Sequence, residues 1–331
     1  MKRMRKYVLL LLSVIIVLAL AACGSKDEKS KDKNAAADGK TYKVGITQIV
    51  EHPSLNEATK GFKAALKDAG LKVDYQTEIA QGDQSVNTTA ANNLAGSGVD
   101  LIFANSTPSA QAAATATSDI PIVFTSVTDA VGAELVKSME KPGGNVTGTV
   151  DTHPDAIPNT VKFLSTQLGA KKVGMVFNSG EQNSRVQVDN VKKEAKKVGI
   201  TIVEASASTS AEVKQATESL VGKVDALYII TDNTVVSALE SVLDVANEKK
   251  IPVMVGELDS VKRGGLGAYG FSYYDIGYEA GQKAVEILKD GKKPADIPVA
   301  YPAKLKLEIN KTTADKIGVD IKDDWKAEVV K

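Results

Sequence analysis

The 331 residues contain one cysteine, one tryptophan and two histidines. A single thiol excludes an internal disulfide, so hydrophobic cores have to hold the fold. The two histidines, His52 and His153, are far apart and each precedes a proline, which leaves no metal-ligating cluster. Neither a metal nor any other cofactor is expected. Net charge is also missing: 41 basic residues balance 41 acidic ones, without the basic surface that a nucleic-acid partner requires. No serine sits in a nucleophile elbow. The one Gly-x-Gly-x-x-Gly match, Gly265, Gly267 and Gly270, runs into Phe271-Ser272-Tyr273-Tyr274 instead of opening a helix, and reads as a turn between extended segments. Enzyme chemistry is therefore not expected. The apolar run from Tyr7 to Ala22 falls short of the roughly 20 residues of a membrane-spanning helix.

That run follows Lys2, Arg3, Arg5 and Lys6 and ends at Leu20-Ala21-Ala22-Cys23, the order of a secretory signal peptide with a small-residue cleavage site. The only cysteine stands just after the cut, which resembles a bacterial lipobox. Residues 1–22 are expected to be a lipoprotein signal peptide and Cys23 the site of lipid attachment. The chain would then sit on the extracytoplasmic face of the cell membrane. An ordinary signal peptide with a chance cysteine, or a short membrane anchor, is the plain alternative. Without the four leading cations, 37 basic residues face 41 acidic ones. Residues 24–40 are charged and small, unable to bury enough surface to offset their ordering entropy, so 23–40 is expected to be a disordered tether.

The remaining length exceeds what one core usually supports, so two domains are expected. From Thr41 short β-branched runs alternate with amphipathic helical stretches. The strands are predicted at 42–46, 72–75, 100–104, 120–124, 172–177, 201–204, 226–230 and 251–255. Helices are predicted at 55–69, 109–117, 184–198, 211–220 and 235–249. This alternation predicts α/β architecture with parallel sheets covered on both faces. Val99-Asp100-Leu101-Ile102-Phe103, a loop and helix, and Ile120-Pro121-Ile122-Val123 are echoed by Val224-Asp225-Ala226-Leu227-Tyr228, a loop and helix, and Ile251-Pro252-Val253-Met254. One unit in each half predicts two similar doubly wound lobes.

Ligands of open parallel sheets bind past the carboxyl ends of the strands. There the chain places Glu51; Ser106 and Thr107; Thr125 and Ser126; Asn178, Glu181 and Asn183; Asp232 and Asn233; Glu257 and Asp259. Ser106-Thr107-Pro108 reads as a helix start, whose free N–H groups suit a carboxylate. Ser106, Thr107 and Ser126 are candidate carboxylate binders, and Asp232, Glu257 and Asp259 candidate ammonium binders. Together they would clasp a zwitterion. Taken alone, Ser106-Thr107-Pro108 is better explained by plain helix capping, and a cap or a surface charge accounts equally well for Asp232, Glu257 and Asp259. Among Tyr269, Phe271, Tyr273 and Tyr274, core or crossover positions are expected, and one ring lining the cleft is the alternative.

The stretches Glu51-His52-Pro53-Ser54-Leu55, Asp119–Asp129, Lys141–Gly148, Asn178–Ser184, Thr231–Val235 and Asp259–Gly264 resemble the tryptophan/tyrosine-type branch of bacterial ABC-transporter substrate-binding lipoproteins. The resemblance runs over nearly all of 41–310. It implies a type I periplasmic-binding-protein fold with a three-crossover hinge. Lobe one would be 41–152 plus 273–292, and lobe two 153–272 plus 293–331. It further implies capture of a small solute, an aromatic or other hydrophobic amino acid foremost, by hinge closure and delivery to a permease with its ATPase. A nucleoside or sugar ligand, or a sensor reporting to a membrane receptor, stands as the alternative; the lone Trp325, away from any strand end, counts against a ring-stacked sugar.

Overall fold

The structure, a computed structural model, describes residues 39–331. The expected signal peptide, Cys23 and all but the end of the tether lie outside the described residues. In chain order come β1 (Thr41–Gln48), α1 (Pro53–Asp68), β2 (Lys72–Ile79), α2 (Gln84–Gly96), β3 (Leu101–Asn105), α3 (Thr107–Ala116), β4 (Ile122–Val127) and β5 (Val146–Val150). They form an all-parallel sheet in the order β2-β1-β3-β4-β5. The second lobe follows with α4 (Ala156–Thr166), β6 (Lys172–Phe177), α5 (Gln182–Val198), β7 (Thr201–Ser206), α6 (Val213–Glu218) and β8 (Ala226–Ile229). It continues with α7 (Asn233–Ser237), α8 (Leu239–Glu248), β9 (Val253–Val255), α9 (Leu258–Lys262) and β10 (Gly267–Gly270). After α10 (Tyr273–Leu288) come β11 (Lys306–Asn310), α11 (Lys311–Ile317) and β12 (Glu328–Val330). The second sheet runs β12-β11-β10-β9-β8-β6-β7, with β11 antiparallel to β10. Among the described residues no helix is long and apolar enough to cross a membrane.

Strands β3 and β4 are buried along their whole length, as sheets covered on both faces require, whereas the edge strands β2 and β7 are largely exposed or half-buried. Each sheet carries an apolar layer on either face. In lobe one these are built around Phe62 and Phe103 on one side and Ile102 and Phe124 on the other. In lobe two they are built around Phe163 and Met175, and around Leu227 and Val242. The repeated Val-Asp pair does the same work twice. Asp100 accepts the Lys43 N–H at 2.7 Å, and Asp225 accepts the Lys171 and Lys172 N–H groups at 2.8 Å, tying the start of each inner strand to its neighbour.

Three differences from expectation have local causes. Gly267–Gly270 of the glycine-rich stretch form strand β10 where a turn is expected: a Cβ at Gly267 would overlap the neighbouring strand at Ile309 and the Glu308 carbonyl, so glycine is what lets the strands close up. The expected 235–249 helix breaks at Ala238, and the 211–220 helix contracts to a 3₁₀ turn followed by α6. Residues 297–300 stay with the first sheet, Ile297 and Val299 in its apolar layers and Ala300 bridged to Thr149. The last crossover therefore falls after Ala300 and not at 292.

Helix α10 belongs to lobe one because of glycine. A Cβ on Gly61 would overlap the Tyr274 carbonyl, and one on Gly277 the Ala58 carbonyl, so α1 and α10 approach backbone to backbone. This contact brings His52, which caps α1, and Tyr273, which opens α10, to the same end of the lobe.

Candidate functional site

A small cavity lies between the lobes, lined by residues at strand ends and crossovers. Lobe one contributes His52, Leu55 and Ser126; lobe two contributes Asn183, Thr231, Asn233, Val236 and Glu257. Asp151 and Tyr273, beside the first two crossovers, complete it. The space left is about 10 Å³, room for a single water. Asp151 and Thr231 also line a hollow of about 240 Å³ on the crossover side, with Val150, Ile157, Tyr228 and Phe271 among its apolar walls.

The lobe-one wall rests on an amide. Asn105, at the end of β3, donates its Nδ2 to Leu55 O at 2.7 Å, Thr59 Oγ1 at 3.0 Å and Gln48 Oε1 at 3.1 Å. With the nitrogen so committed, its Oδ1 accepts from Ser126 Oγ at 2.8 Å. Ser126 therefore spends its proton on Asn105 and presents lone pairs elsewhere. The backbone bends to allow this: Ser106 has φ 123° and Ser126 φ 56°, and the β4–β5 register slips between Phe124 and Val127. Such non-glycine outliers and bulges gather at binding sites.

The lobe-two wall rests on carboxylates. Asp232 is fully buried and caps α7. Its Oδ1 accepts from Val235 N at 2.8 Å, and its Oδ2 from Asn178 N and Ser184 Oγ, both at 2.6 Å. Glu181 accepts from Asn233 Nδ2 at 2.6 Å, Thr234 Oγ1 at 3.0 Å and Asn183 Nδ2 at 3.1 Å. Burial, and then the Glu181 charge, push the Asp232 carboxyl well above the usual carboxylate range. Glu257 caps α9 through Asp259 N at 2.6 Å and Ser260 N at 2.9 Å, with a short contact from Ser260 Oγ; burial raises its carboxyl too.

Asp151 joins the parts. It accepts from Thr128 Oγ1 at 3.1 Å and Tyr273 Oη at 2.7 Å, and burial raises its pKa against these bonds. Gln187 bridges the lobes, receiving Thr231 Oγ1 at 3.0 Å and reaching Thr128 Oγ1 at 3.4 Å. His52 is the opposite case: burial, aided by the Arg263 charge, lowers its pKa to about 3, so the imidazole is neutral near pH 7. Its Nδ1 takes the Leu55 N–H at 3.5 Å, which leaves Nε2 as the protonated, donating nitrogen.

Of the twelve side chains singled out in the sequence, Ser126, Asn183, Asn233 and Glu257 line the cavity. Ser106 and Thr107 lie behind it, their oxygens accepting from Ser109 N and Thr128 N. Thr125 is bonded to Thr149 inside lobe one. Asp232 spends both oxygens within its own lobe, and Glu181 is consumed orienting Asn183, Asn233 and Thr234. Asn178 lines a neighbouring groove that Glu181 and Asn233 share; Glu51 is exposed, and Asp259 pairs with Lys262 at 2.7 Å. His52, Asp151 and Thr231 are not among the candidate ligand contacts of the sequence, and Tyr273 stands there only as one ring of an aromatic cluster. His-Pro at a helix start and a polar residue at a crossover or strand end are the only signals of the first three. Among the described residues no group of three or more His, Cys, Asp or Glu is placed to hold a metal.

The profile of the family described as ABC transporter substrate binding protein matches residues 43–330. A protein of Clostridioides difficile (strain R20291) named tyrosine-binding protein is 46% identical over 314 residues, covering 92% of this chain and 90% of its own. Among solved structures, an ABC domain from Streptococcus pneumonia in complex with L-Trp is 33% identical, covers 88% of this chain and 100% of its own, and has a TM-score of 0.83. The ligand-free, open structure of a substrate-binding protein from Clostridium difficile is 42% identical and covers 88% and 99%, yet its TM-score is 0.65.

Proposed function

Because the chain belongs to the ABC transporter substrate-binding protein family, we propose that it captures an aromatic amino acid by closing its lobes and delivers it to a membrane permease driven by an ATPase. It does no chemistry on the ligand. The observation that carries this reading is the enclosed cavity lined from both lobes and from two crossovers, with acceptors gathered in it. Asp151 and Glu257 are buried carboxylates whose charge burial disfavours, and an ammonium between them would restore it. Neutral His52, hydrogen-bonded to Asn233, brings to this lining a donor that the ligand carboxylate would share. The adjoining hollow, walled by Tyr228, Phe271 and Val150, receives the ring. The tyrosine-binding relative and the L-Trp complex support this ligand class.

Closure is supported by the order of the structural likenesses. The less identical L-Trp complex superposes better than the more identical open, ligand-free protein, so this arrangement of lobes lies nearer the liganded one. A ligand touching both walls binds the closed form better than the open one, and that difference is what shifts the population. The lobes that move are 41–152 with 273–300, and 153–272 with the C-terminal strands. A lipid on Cys23 and a 23–40 tether would keep them at the outer face of the membrane.

The test is a thermal-shift and calorimetric screen of the purified protein against the twenty amino acids, nucleosides and common sugars. A selective rise in Tm with tyrosine, tryptophan or phenylalanine is expected, since a ligand bound only to the native state stabilises it in proportion to the logarithm of its concentration over Kd. A response confined to nucleosides or sugars would overturn the amino-acid reading.

A further inference from the structure

We propose that Asn183, held in one orientation by Glu181, is the residue through which the site selects a ligand that carries an amino group. Asn183 is the second residue of α5, is 2% exposed and lines the interlobe cavity. Its amide nitrogen faces three acceptors: Glu181 Oε2 at 3.1 Å, Ser184 Oγ at 3.3 Å and Thr231 O at 3.4 Å. Its Oδ1 is buried with no hydrogen-bond partner in the protein. Buried acceptors left in this state are rare in folded proteins and call for an explanation.

Turning the amide over does not relieve it. The oxygen would then face the Glu181 carboxylate and the Thr231 carbonyl, acceptor against acceptor. Glu181 cannot swing away either, since it also holds Asn233 Nδ2, Thr234 N and Thr234 Oγ1. The carbonyl of Asn183 is therefore left as the atom available to a donor. Across the cavity Ser126 has given its proton to Asn105 and presents lone pairs, and Glu257 and Asp151 supply carboxylates on the same lining. On this lining Asn183 Oδ1 is without a donor, while Ser126, Asp151 and Glu257 already hold partners and have lone pairs to share. An ammonium supplies three N–H donors; a methylene in its place supplies none and leaves Asn183 Oδ1 as it is now. Asn183 is a specificity-determining residue, and Glu181 acts through it as a positioning residue.

The inference rests on the proposed amino-acid reading of this cavity, and its test separates the two. Wild type, Asn183→Ala and Asn183→Thr are titrated calorimetrically with L-tyrosine and with 3-(4-hydroxyphenyl)propionate, which keeps ring and carboxylate but lacks the amine. The threonine variant keeps a hydroxyl toward Glu181 but no carbonyl, and covers the case in which the alanine variant fails to fold. For either variant L-tyrosine is expected to weaken by roughly tenfold to a hundredfold, the worth of one hydrogen bond to a charged group, with the desamino compound unchanged. Glu181→Gln is expected to show a smaller loss with the same selectivity. Equal weakening of both compounds, or of neither, overturns the inference while leaving the amino-acid reading intact. Failure of the wild type to bind any amino acid overturns the reading, and the inference with it.

Discussion

The two lobes share a topology but end their inner strands on different chemistry. Strand β3 of lobe one leads into Asn105 and the hydroxyl cap Ser106; strand β8 of lobe two leads into the carboxylate cap Asp232. Both caps are fully buried. On the neutral side, the amide of Asn105 both donates and accepts, so one residue joins β1, α1 and β4. On the acidic side, Asp232 only accepts, and it draws together the donors of Asn178, Ser184 and Val235. No cation pairs with Asp232 or Glu181 among the described residues; backbone and side-chain N–H groups take that part. A repeated α/β unit thus fixes where the strand ends lie, while the residue at each end decides whether an amide or a carboxylate holds that wall together.

The largest effect should come from exchanging these two chemistries. Asn105→Asp removes the donations of the amide nitrogen to Leu55 O, Thr59 Oγ1 and Gln48 Oε1 and adds a charge in a fully buried position. A loss of at least about 3 kcal/mol in urea unfolding is expected. Asp232→Asn still accepts with one oxygen and relieves the repulsion from Glu181, so the loss of one backbone partner is partly offset and about 1 kcal/mol is expected. Equal losses from the two substitutions would break the comparison, because they would make the two hubs interchangeable.

The walls should also respond to acid with opposite signs. His52 has its pKa lowered on folding, from 6.5 to about 3, so the unfolded chain binds its proton more readily, and native stability is lost as pH falls through that window. Asp232 and Glu257 have theirs raised, chiefly by burial; the native state holds those protons more tightly, and the stability they confer fades as pH rises through the folded pKa. Urea midpoints of wild type and His52→Gln, followed from pH 7.5 to 5, separate the two. The wild-type stability relative to the variant should decline below about pH 6.5 with a slope approaching 1.4 kcal/mol per pH unit. A difference independent of pH would remove His52 from the titrating set.

How far the sequence carried this arrangement depended on whether a residue's role was local. The echo of Val99-Asp100 in Val224-Asp225 gave the paired lobes, because strand period and a capping aspartate are properties of adjacent residues. Strand ends, and with them Ser126, Asn183, Asn233 and Glu257, could be found the same way. Asp151 could not, and Tyr273 stood out only as one ring of an aromatic cluster. Each sits beside a crossover, and their 2.7 Å bond spans 122 residues. Asp232 misled for a related reason: its chemistry suits an ammonium, but its oxygens are taken by a loop 54 residues earlier and a helix 48 residues earlier. The place of an acid past a strand end was legible; its burial and what satisfies it were not.

The smallest predicted effect concerns strain in the neutral lobe. Ser106 sits at φ 123°, ψ 159°, a conformation that glycine adopts freely and serine at a cost of order 1–3 kcal/mol. Its Oγ repays part of this by capping Ser109 N at 3.3 Å, but glycine as a cap gives up only a few tenths of a kcal/mol. Ser106→Gly should therefore raise stability by about 1 kcal/mol in urea unfolding. Ser126→Gly should not, because φ 56° is a mild left-handed position and the bond to Asn105 would be lost. If both glycines stabilise equally, the bend at β4 is held by backbone preference alone, and the amide hub does not shape the lobe-one wall. If only Ser106→Gly does, lobe one holds its strand ends out of line through a strained cap and an amide, where lobe two uses buried charge.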